Sequence, residues 1–308
     1  MRRRAGCTSL QNNATPRSSH NSDQRRAQWL HRWRRQAELH PVTGLQVVKN
    51  NVTLRGAGAD QTILKGCNIV RLGSGGHLAS GAAIIGGGAK DSRSVTVSST
   101  NGLAVGTMIE LDRDDDPALV VSTIGGSRYL RQVNVITAVV GTTLTLRNPL
   151  LWDFGSGSPR IKWAFINTRN SGIEDLQLDH SGTSGCTNFD LQYCDGCWLR
   201  GVESYRPSGY HLTILGTVNL EIRGSYIHEA QTSGNNNGGL AVYGSGAYGS
   251  NSSGKFENNL FQKNFPGIEM QNSSSGFALL YNYVVTPMAA TGLKESAWLA
   301  KTSAGKER

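Results

Sequence analysis

The sequence predicts an all-β chain, a parallel β-helix solenoid that carries a small inserted antiparallel β module. Three observations lead there. The 308 residues include 38 glycines while aromatics make up only 7%, a composition of many corners without a collagen period. Beyond the first 45 residues no long segment shows the 3.6-residue apolar period of an amphipathic helix. Residues 171–284 repeat one plan of short alternating strands.

Residues 1–45 stand apart. Residues 1–41 hold nine Arg against Asp23 and Glu38, so +7 of the formal +9 sits there and the remainder is nearly neutral. The high pI therefore describes a tail rather than a nucleic-acid-binding face, and no nucleic-acid partner is expected. "MRRRAGCTSL" has a basic start with no apolar stretch after it, so it does not read as a secretory signal. "RRAQWLHRWRRQAELH" has the makings of a short basic amphipathic helix, but a disordered or wrongly assigned start fits it better. No run approaches the roughly 20 apolar residues of a membrane span.

Residues 46–90 read as the first coils. "NNVTLRGAGADQTIL", Asn50 to Leu64, is a strand, a Gly-Ala-Gly corner and a second strand. Residues 91–160 lack the coil step. "SVTVSSTNGLAVGTMIEL" and "RQVNVITAVVGTTLTLRNPL" are strand-rich, with "NG" and "VGTT" turns of hairpin type. They are expected to form the inserted antiparallel module. Its acidic loop "DRDDDP", Asp112 to Pro117, offers carboxylates that Ca²⁺ would accept, but without the ligand spacing of a known calcium loop. A solvated loop is the plainer reading.

Residues 161–285 carry the repeat. One series of strands is "GIEDLQL", "CWLRGVE", "LEIRGSYI", "KFENNLF" and "ALLYNYV", and a second is "FDLQY", "HLTIL", "LAVYG" and "IEMQN". The two alternate along the chain. Aligned on Asp175, Gly201, Gly224, Asn259 and Asn282, the first series steps by 26, 23, 35 and 23 residues, which is solenoid spacing. No hairpin signal joins neighbours, so like strands must stack in parallel and bury their apolar faces only against adjacent coils. Asn259 and Asn282 suit a corner whose amides bond one another.

These stretches, with "VVKNNVTLRGAGADQTIL", "GVESYRPSGYHLTI", "IRGSYIH" and "GKFENNLFQKN", resemble the right-handed parallel β-helix proteins of the pectate lyase-like superfamily. The resemblance covers roughly residues 46–90 and 161–285. It implies an extracellular protein whose partner is a polysaccharide. It does not choose an activity, because that superfamily holds lyases, hydrolases, esterases, tailspikes and adhesins. Members open with a capping helix and continue for further coils. Here the Arg-rich segment and "TPMAATGLKESAWLAKTSAGKER", residues 286–308, take those places, so truncated or out-of-frame ends are expected.

Five cysteines, Cys7, Cys67, Cys186, Cys194 and Cys197, leave an odd one. "CDGC", Cys194 to Cys197, reads as a redox pair, half of a zinc site, or buried thiols or a local disulfide. No second pair at ligand spacing completes a zinc site.

Alternation nominates the outward side chains. In the second series Asp190, His211, Ala241 and Glu269 form one outward column, with Gln192, Thr213, Tyr243 and Gln271 as the next. Coils about 4.8 Å apart make Asp190 and His211 neighbours, and a carboxylate beside an imidazole serves acid–base work. In the first series Glu174, Arg200, Arg223, Asn258 and Tyr281 point out. Arg200 and Arg223 either pair on the surface or clamp uronate carboxylates. Glu203 and Arg206 lie in the loop before His211, and the loop after His228 and Glu229 is long enough to wall a groove.

His211, Asp190 and Arg206 are thus the catalytic candidates. Arg200, Arg223, Glu203, His228, Tyr243 and Glu269 are the substrate-binding ones. No acidic trio or paired-Asp motif of the resembled enzymes is found. The reading is a polysaccharide-binding or polysaccharide-degrading protein, as lyase or glycoside hydrolase. The alternatives are a non-catalytic adhesin- or tailspike-like β-helix, or an inactive fragment.

Overall fold

The computed structural model divides into two compact units, Met1–Gln36 and Ala37–Arg308. It describes residues 37–39, 44–66, 70–73, 80–120, 128–163, 168–182, 185–231, 240–242, 250–264, 268–270 and 273–285. Residues 1–36 and 286–308 lie outside them, while Ala37–Leu39, expected within the Arg-rich segment, is a strand paired in parallel with Thr62–Leu64. Among the described residues there are strands, turns and bends but no helix, and so none long and apolar enough to cross a membrane.

Three parallel sheets form the body. Sheet I contains Thr53–Arg55, Gly172–Glu174, Trp198–Arg200, Glu221–Arg223, Lys255–Glu257 and Ala278–Leu280. Sheet II contains Ala37–Leu39, Thr62–Lys65, Gln177–Asp179, Glu203–Tyr205, Tyr226–His228, Leu260–Gln262 and Tyr283–Val285. Sheet III contains Gln46–Val47, Val70–Leu72, Phe189–Gln192, Leu212–Leu215, Leu240–Val242 and Ile268–Met270. The chain visits them always in the order I, II, III, so each strand pairs with its counterpart one coil away. Each seven-residue string of the first series is therefore two strands meeting at a corner.

The register piles like side chains on like. In sheet I one file runs Leu54, Ile173, Leu199, Ile222, Phe256, Leu279. Sheet III has two files. Val70, Phe189 and Leu212 share one, and Leu72, Leu191 and Ile214 share the other, while the backbone of Leu240 registers with Leu212 and Ile268 and that of Val242 with Met270. Leu191 and Leu212 thus belong to neighbouring files. Ile173, Leu199, Ile222, Phe256, Leu191 and Leu212 are all at most 1% exposed. Each such side chain stabilises the stack by about 2 kcal/mol relative to exposure.

Corners recur at fixed positions because one left-handed residue turns the strand. Between sheets I and II that residue is Asp175, Gly201, Gly224, Asn258 and Tyr281, with φ from 54° to 59°. The steps are therefore 26, 23, 34 and 23 residues, one position off the spacing expected from Asn259 and Asn282. Gly, Asn and Asp tolerate this conformation, whereas Tyr281 bears a cost of about 1 kcal/mol. The two asparagines follow the corner and face inward. The Nδ2 of Asn259 donates to the Asn282 Oδ1 at 2.9 Å and to the Ile222 carbonyl at 2.9 Å, and its Oδ1 accepts from the Ser225 N–H at 3.0 Å. The expected stacking of amides is thus present.

Between the sheet III strand Val70–Leu72 and the sheet I strand Gly172–Glu174 the chain detours through a closed antiparallel barrel. Its strands are Ser80–Gly87, Ser94–Val97, Met108–Arg113, Leu130–Val140, Thr143–Leu146 and Arg160–Trp163. Ser80–Gly87 and Arg160–Trp163 lie at or beyond the module boundaries expected at 90 and 160. Of the two turn signals, "VGTT" joins paired strands, while "NG" links Ser94–Val97 to Met108–Arg113, which are not neighbours in the barrel. The barrel seats on the coils through Met108, Val133 and Val135 against Tyr193 and Val218. Arg147 pairs with Asp195 at 2.5 Å, and the Ser250 N–H donates to the Glu110 Oε2 at 2.7 Å.

Candidate functional site

Two candidate catalytic residues are not neighbours. Asp190 stands opposite Thr213, not His211. His211 precedes its strand, where the bend breaks the alternation, and its side chain is 0% exposed. Its Nδ1 lies 2.8 Å from the Ser204 Oγ and its Nε2 2.9 Å from the Asn264 Oδ1. The Ser204 Oγ also accepts from the Asn188 Nδ2 at 2.8 Å. Burial drives the His211 pKa down to about 3, although the Asn264 bond opposes the shift. It is a neutral core imidazole that satisfies polar groups inside the coil.

Asp190 is saturated on the sheet III surface. Arg71 pairs with it at 3.0 Å, the Thr213 Oγ1 donates at 2.7 Å, and the Gln192 Nε2 donates at 2.8 Å. Glu269 stands opposite Ala241 in the same sheet. Tyr243 and Gln271 lie outside the described residues.

Arg200 and Arg223 belong to sheet I, in the outward column Arg55, Glu174, Arg200, Arg223, Glu257, Leu280. Asn258 and Tyr281, expected in that column, are corner residues instead. Arg200 bonds Glu221 at 2.9 Å and lies 3.9 Å from Glu174, and Arg223 lies 3.8 Å from Glu257. Burial alone would raise the Glu174 carboxyl, but hydrogen bonds from Arg55 and Trp198 hold it below the usual range. Each arginine of this ladder meets a glutamate, Arg55 and Arg200 at Glu174, Arg200 also at Glu221 and Arg223 at Glu257, so its cations are already matched.

The acidic loop is likewise occupied. Asp112 pairs with Lys162 at 2.8 Å, Arg128 at 2.6 Å and Arg160 at 2.9 Å. Burial acts to raise its carboxyl, yet these partners hold it low. Asp114 pairs with Arg128, and the Asp115 carboxylate accepts backbone N–H groups of Arg128 and Tyr129. Among the described residues no three His, Cys, Asp or Glu side chains converge as a metal site would require. Cys194 and Cys197 are free, buried thiols. The hydrogen bond that the Cys194 thiol makes to Cys197, together with burial, pushes that thiol well up, which removes thiolate chemistry there. Cys186 is disulfide-bonded.

What converges is the outward face of sheet II. Its two columns read Gln177, Glu203, Tyr226, Leu260, Tyr283 and Asp179, Tyr205, His228, Gln262, Val285. Glu203 is thus a strand residue rather than a loop residue. Its Oε1 accepts from the Gln177 Nε2 at 2.9 Å and lies 2.9 Å from the His228 Nε2. The His228 Nδ1 is buried without a hydrogen-bond partner, so the tautomer protonated at Nε2 fits, donating to Glu203. Tyr226 stacks on the His228 ring, with centroids 3.7 Å apart and planes 3° off parallel. The Tyr205 ring lies against His228 as well, tilted by 33° with centroids 4.8 Å apart. The Tyr226 hydroxyl donates to the Gln262 Oε1. Burial, with the Glu229 and Glu203 carboxylates nearby, pushes the Tyr226 phenol up. Arg206, at the end of the Tyr205 strand, places its guanidinium 5.9 Å from the Tyr205 ring centroid.

The structure therefore brings Glu203 and His228 together, sets Arg206 beside the Tyr205 ring, and leaves His211, Asp190, Arg200 and Arg223 elsewhere. Sequence reasoning missed Gln177, Tyr205, Tyr226 and Gln262. Their signal is faint but present: each lies two or four residues after a corner, the outward positions of a third sheet.

The coil architecture has a solved counterpart. The tailspike gp61 of Pseudomonas phage phi297 is similar to this chain at a TM-score of 0.54 and 11% identity, over 78% of this chain and 48% of the tailspike. The likeness is one of fold. The Gp54 tailspike of Acinetobacter baumannii bacteriophage AP22, solved in complex with A. baumannii capsular saccharide, aligns at a TM-score of 0.41 and 13% identity, over 89% of this chain and 57% of its own. The tailspike gp49 of Pseudomonas phage LKA1 aligns at 0.38 and 13%, over 79% and 45%. This chain spans about half the length of the tailspikes it matches. No family model matches the sequence, and no curated protein is similar enough to match.

Proposed function

We propose that the chain is a right-handed parallel β-helix of pectate lyase-like type that binds an extended polysaccharide along sheet II. The observation that carries this is the stacked Tyr226–His228 pair, flanked by Tyr205 and edged by Glu203, Gln177 and Gln262. Flat rings present apolar faces to the C–H side of a pyranose, while the carboxylate and amides bond its hydroxyls. Coils about 4.8 Å apart set one residue of each outward column per step, so a linear glycan lying along the stacking axis meets Gln177, Glu203 and Tyr226 in turn. The phi297 tailspike fold supports the reading. The disulfide at Cys186 supports an extracellular setting.

The test is binding of purified capsular, uronate-containing and neutral polysaccharides by calorimetry. Tyr226→Ala should weaken the best ligand about tenfold, or roughly 1.4 kcal/mol, the contribution of one aromatic platform. Asp190→Ala, on sheet III, should leave affinity unchanged. The reverse pattern would move the ligand off sheet II.

A further inference from the structure

We propose that the barrel carries a self-formed isopeptide bond, an amide joining the Lys162 Nζ to the Glu110 Cδ. It is independent of what sheet II binds. Glu110 and Asp112 lie on one face of the strand Met108–Arg113, and Lys162 stands directly opposite Glu110 on the neighbouring antiparallel strand Arg160–Trp163. An amide between side chains needs three groups in contact: an amine that can lose its proton, a base to take it, and an acyl carbon whose oxyanion is held.

Each requirement meets a particular side chain. The Lys162 Nζ lies 2.8 Å from the Asp112 Oδ2 and 3.9 Å from the Glu110 Oε1. Asp112 is the base. Against its burial, Lys162, Arg128 and Arg160 hold it ionised, and an ionised carboxylate resists attack by an amine. Glu110 is the acyl partner. Its side chain is 1% exposed, and its Oε1 has no hydrogen-bond partner among the described residues. Met108, Val133 and Tyr193 line the same seam between barrel and coils. Burial pushes the Glu110 carboxyl up toward the neutral acid, against the pull of Arg131 and Lys162. The Ser250 N–H, 2.7 Å from Oε2, holds the oxygen that becomes the oxyanion. A buried acid with an open oxygen is costly, and the amide removes it and the ammonium from the interior together. Lys255 with Glu257, and Lys263 with Glu229, pair at the surface instead, where water competes.

The step balances without an added reagent. Oε2 accepts the Ser250 hydrogen bond, so the acid proton of Glu110 sits on Oε1. Asp112 takes a proton from the Lys162 ammonium, and the amine lone pair forms the new C–N bond at the Glu110 Cδ. The π electrons of the C–Oε2 bond move onto Oε2. Asp112 then gives its proton to Oε1 and takes a second one from the nitrogen. The C–Oε1 bond breaks, the carbonyl re-forms, and water leaves. Asp112 releases the remaining proton to solvent, and nothing is oxidised or reduced. The product ties Met108–Arg113 to Arg160–Trp163, the strand by which the chain leaves the barrel for the coils.

The experiment weighs the reduced full-length chain by mass spectrometry over time after synthesis and then maps a protease digest by tandem mass spectrometry. The chain should come to weigh one water less than its sequence, and one branched peptide should join Glu110 to Lys162. Lys162→Arg keeps a cation beside Asp112 but offers no amine, so it should stay at full mass and melt at a lower temperature than the wild type. Asp112→Asn should slow the loss of water about 100-fold, the usual share of a general base. Lys255→Arg, at the surface, should leave the linked mass in place. A wild-type chain still at full mass after prolonged incubation overturns the bond. So does a water lost within a single unbranched peptide, the signature of a succinimide at an aspartate. If a barrel variant fails to fold, the wild-type peptide map still decides.

Discussion

His211 offers the sharpest test of how polar groups are handled inside the coils. It is fully buried between Ser204 and Asn264, and burial lowers its pKa from 6.5 to about 3. The unfolded chain takes up a proton on this ring as pH falls through 6.5, while the folded chain does not until near 3. Stability conferred by the neutral ring is therefore complete above the ordinary value and is lost as pH drops through that window. The slope rises from half its full value at pH 6.5 toward about 1.4 kcal/mol per pH unit below it, so moving from pH 6.5 to 4.5 should remove about 2 kcal/mol. That is a large fraction of a typical 5–15 kcal/mol stability.

The assay is urea unfolding followed by tryptophan fluorescence at several pH values, on the wild type and on His211→Gln. The amide keeps one of the two hydrogen bonds and cannot titrate. The variant should be less stable at pH 7 by about 1 kcal/mol, and its pH curve should be flatter by the amount above. Other carboxylates and histidines titrate in both proteins, so the difference between curves isolates this ring. Parallel curves would refute the buried-neutral account.

Two further outcomes are expected. Asn259→Ala strips partners from the Ser225 N–H, the Ile222 carbonyl and the Asn282 Oδ1 in a position 2% exposed, and should cost about 3 kcal/mol in denaturant unfolding. Tyr281→Gly should stabilise by about 1 kcal/mol, read as a raised melting temperature, because Tyr281 holds φ 54° while its side chain is 83% exposed.

Much of the stack is legible in the letters. Strand-like strings returning after 23 to 35 residues, without hairpin signals, leave parallel stacking as the way to bury one apolar face per coil. The errors share one cause. Alternation holds only while the backbone stays extended, and a single left-handed residue resets it. "GIEDLQL" reads as one strand, yet Asp175 at φ 55° divides it between sheets I and II. Hence a third sheet goes unseen and Glu203 passes for a loop residue. His211, one residue outside its strand, is assigned to the surface when it lies in the core.

Apolar spacing, scarce aromatics and frequent glycines are local properties, and they suffice to choose strands, coils and an all-β chain. Which side chains meet across coils is another matter. Glu203, Tyr226 and His228 converge because corners of 23 or 26 residues bring chain segments into lateral register, and a shift of one position would turn each to the other side of the sheet. Register is settled by packing between coils, where Ile173, Leu199, Ile222 and Phe256 must coincide. That coincidence exists only once the coils have stacked.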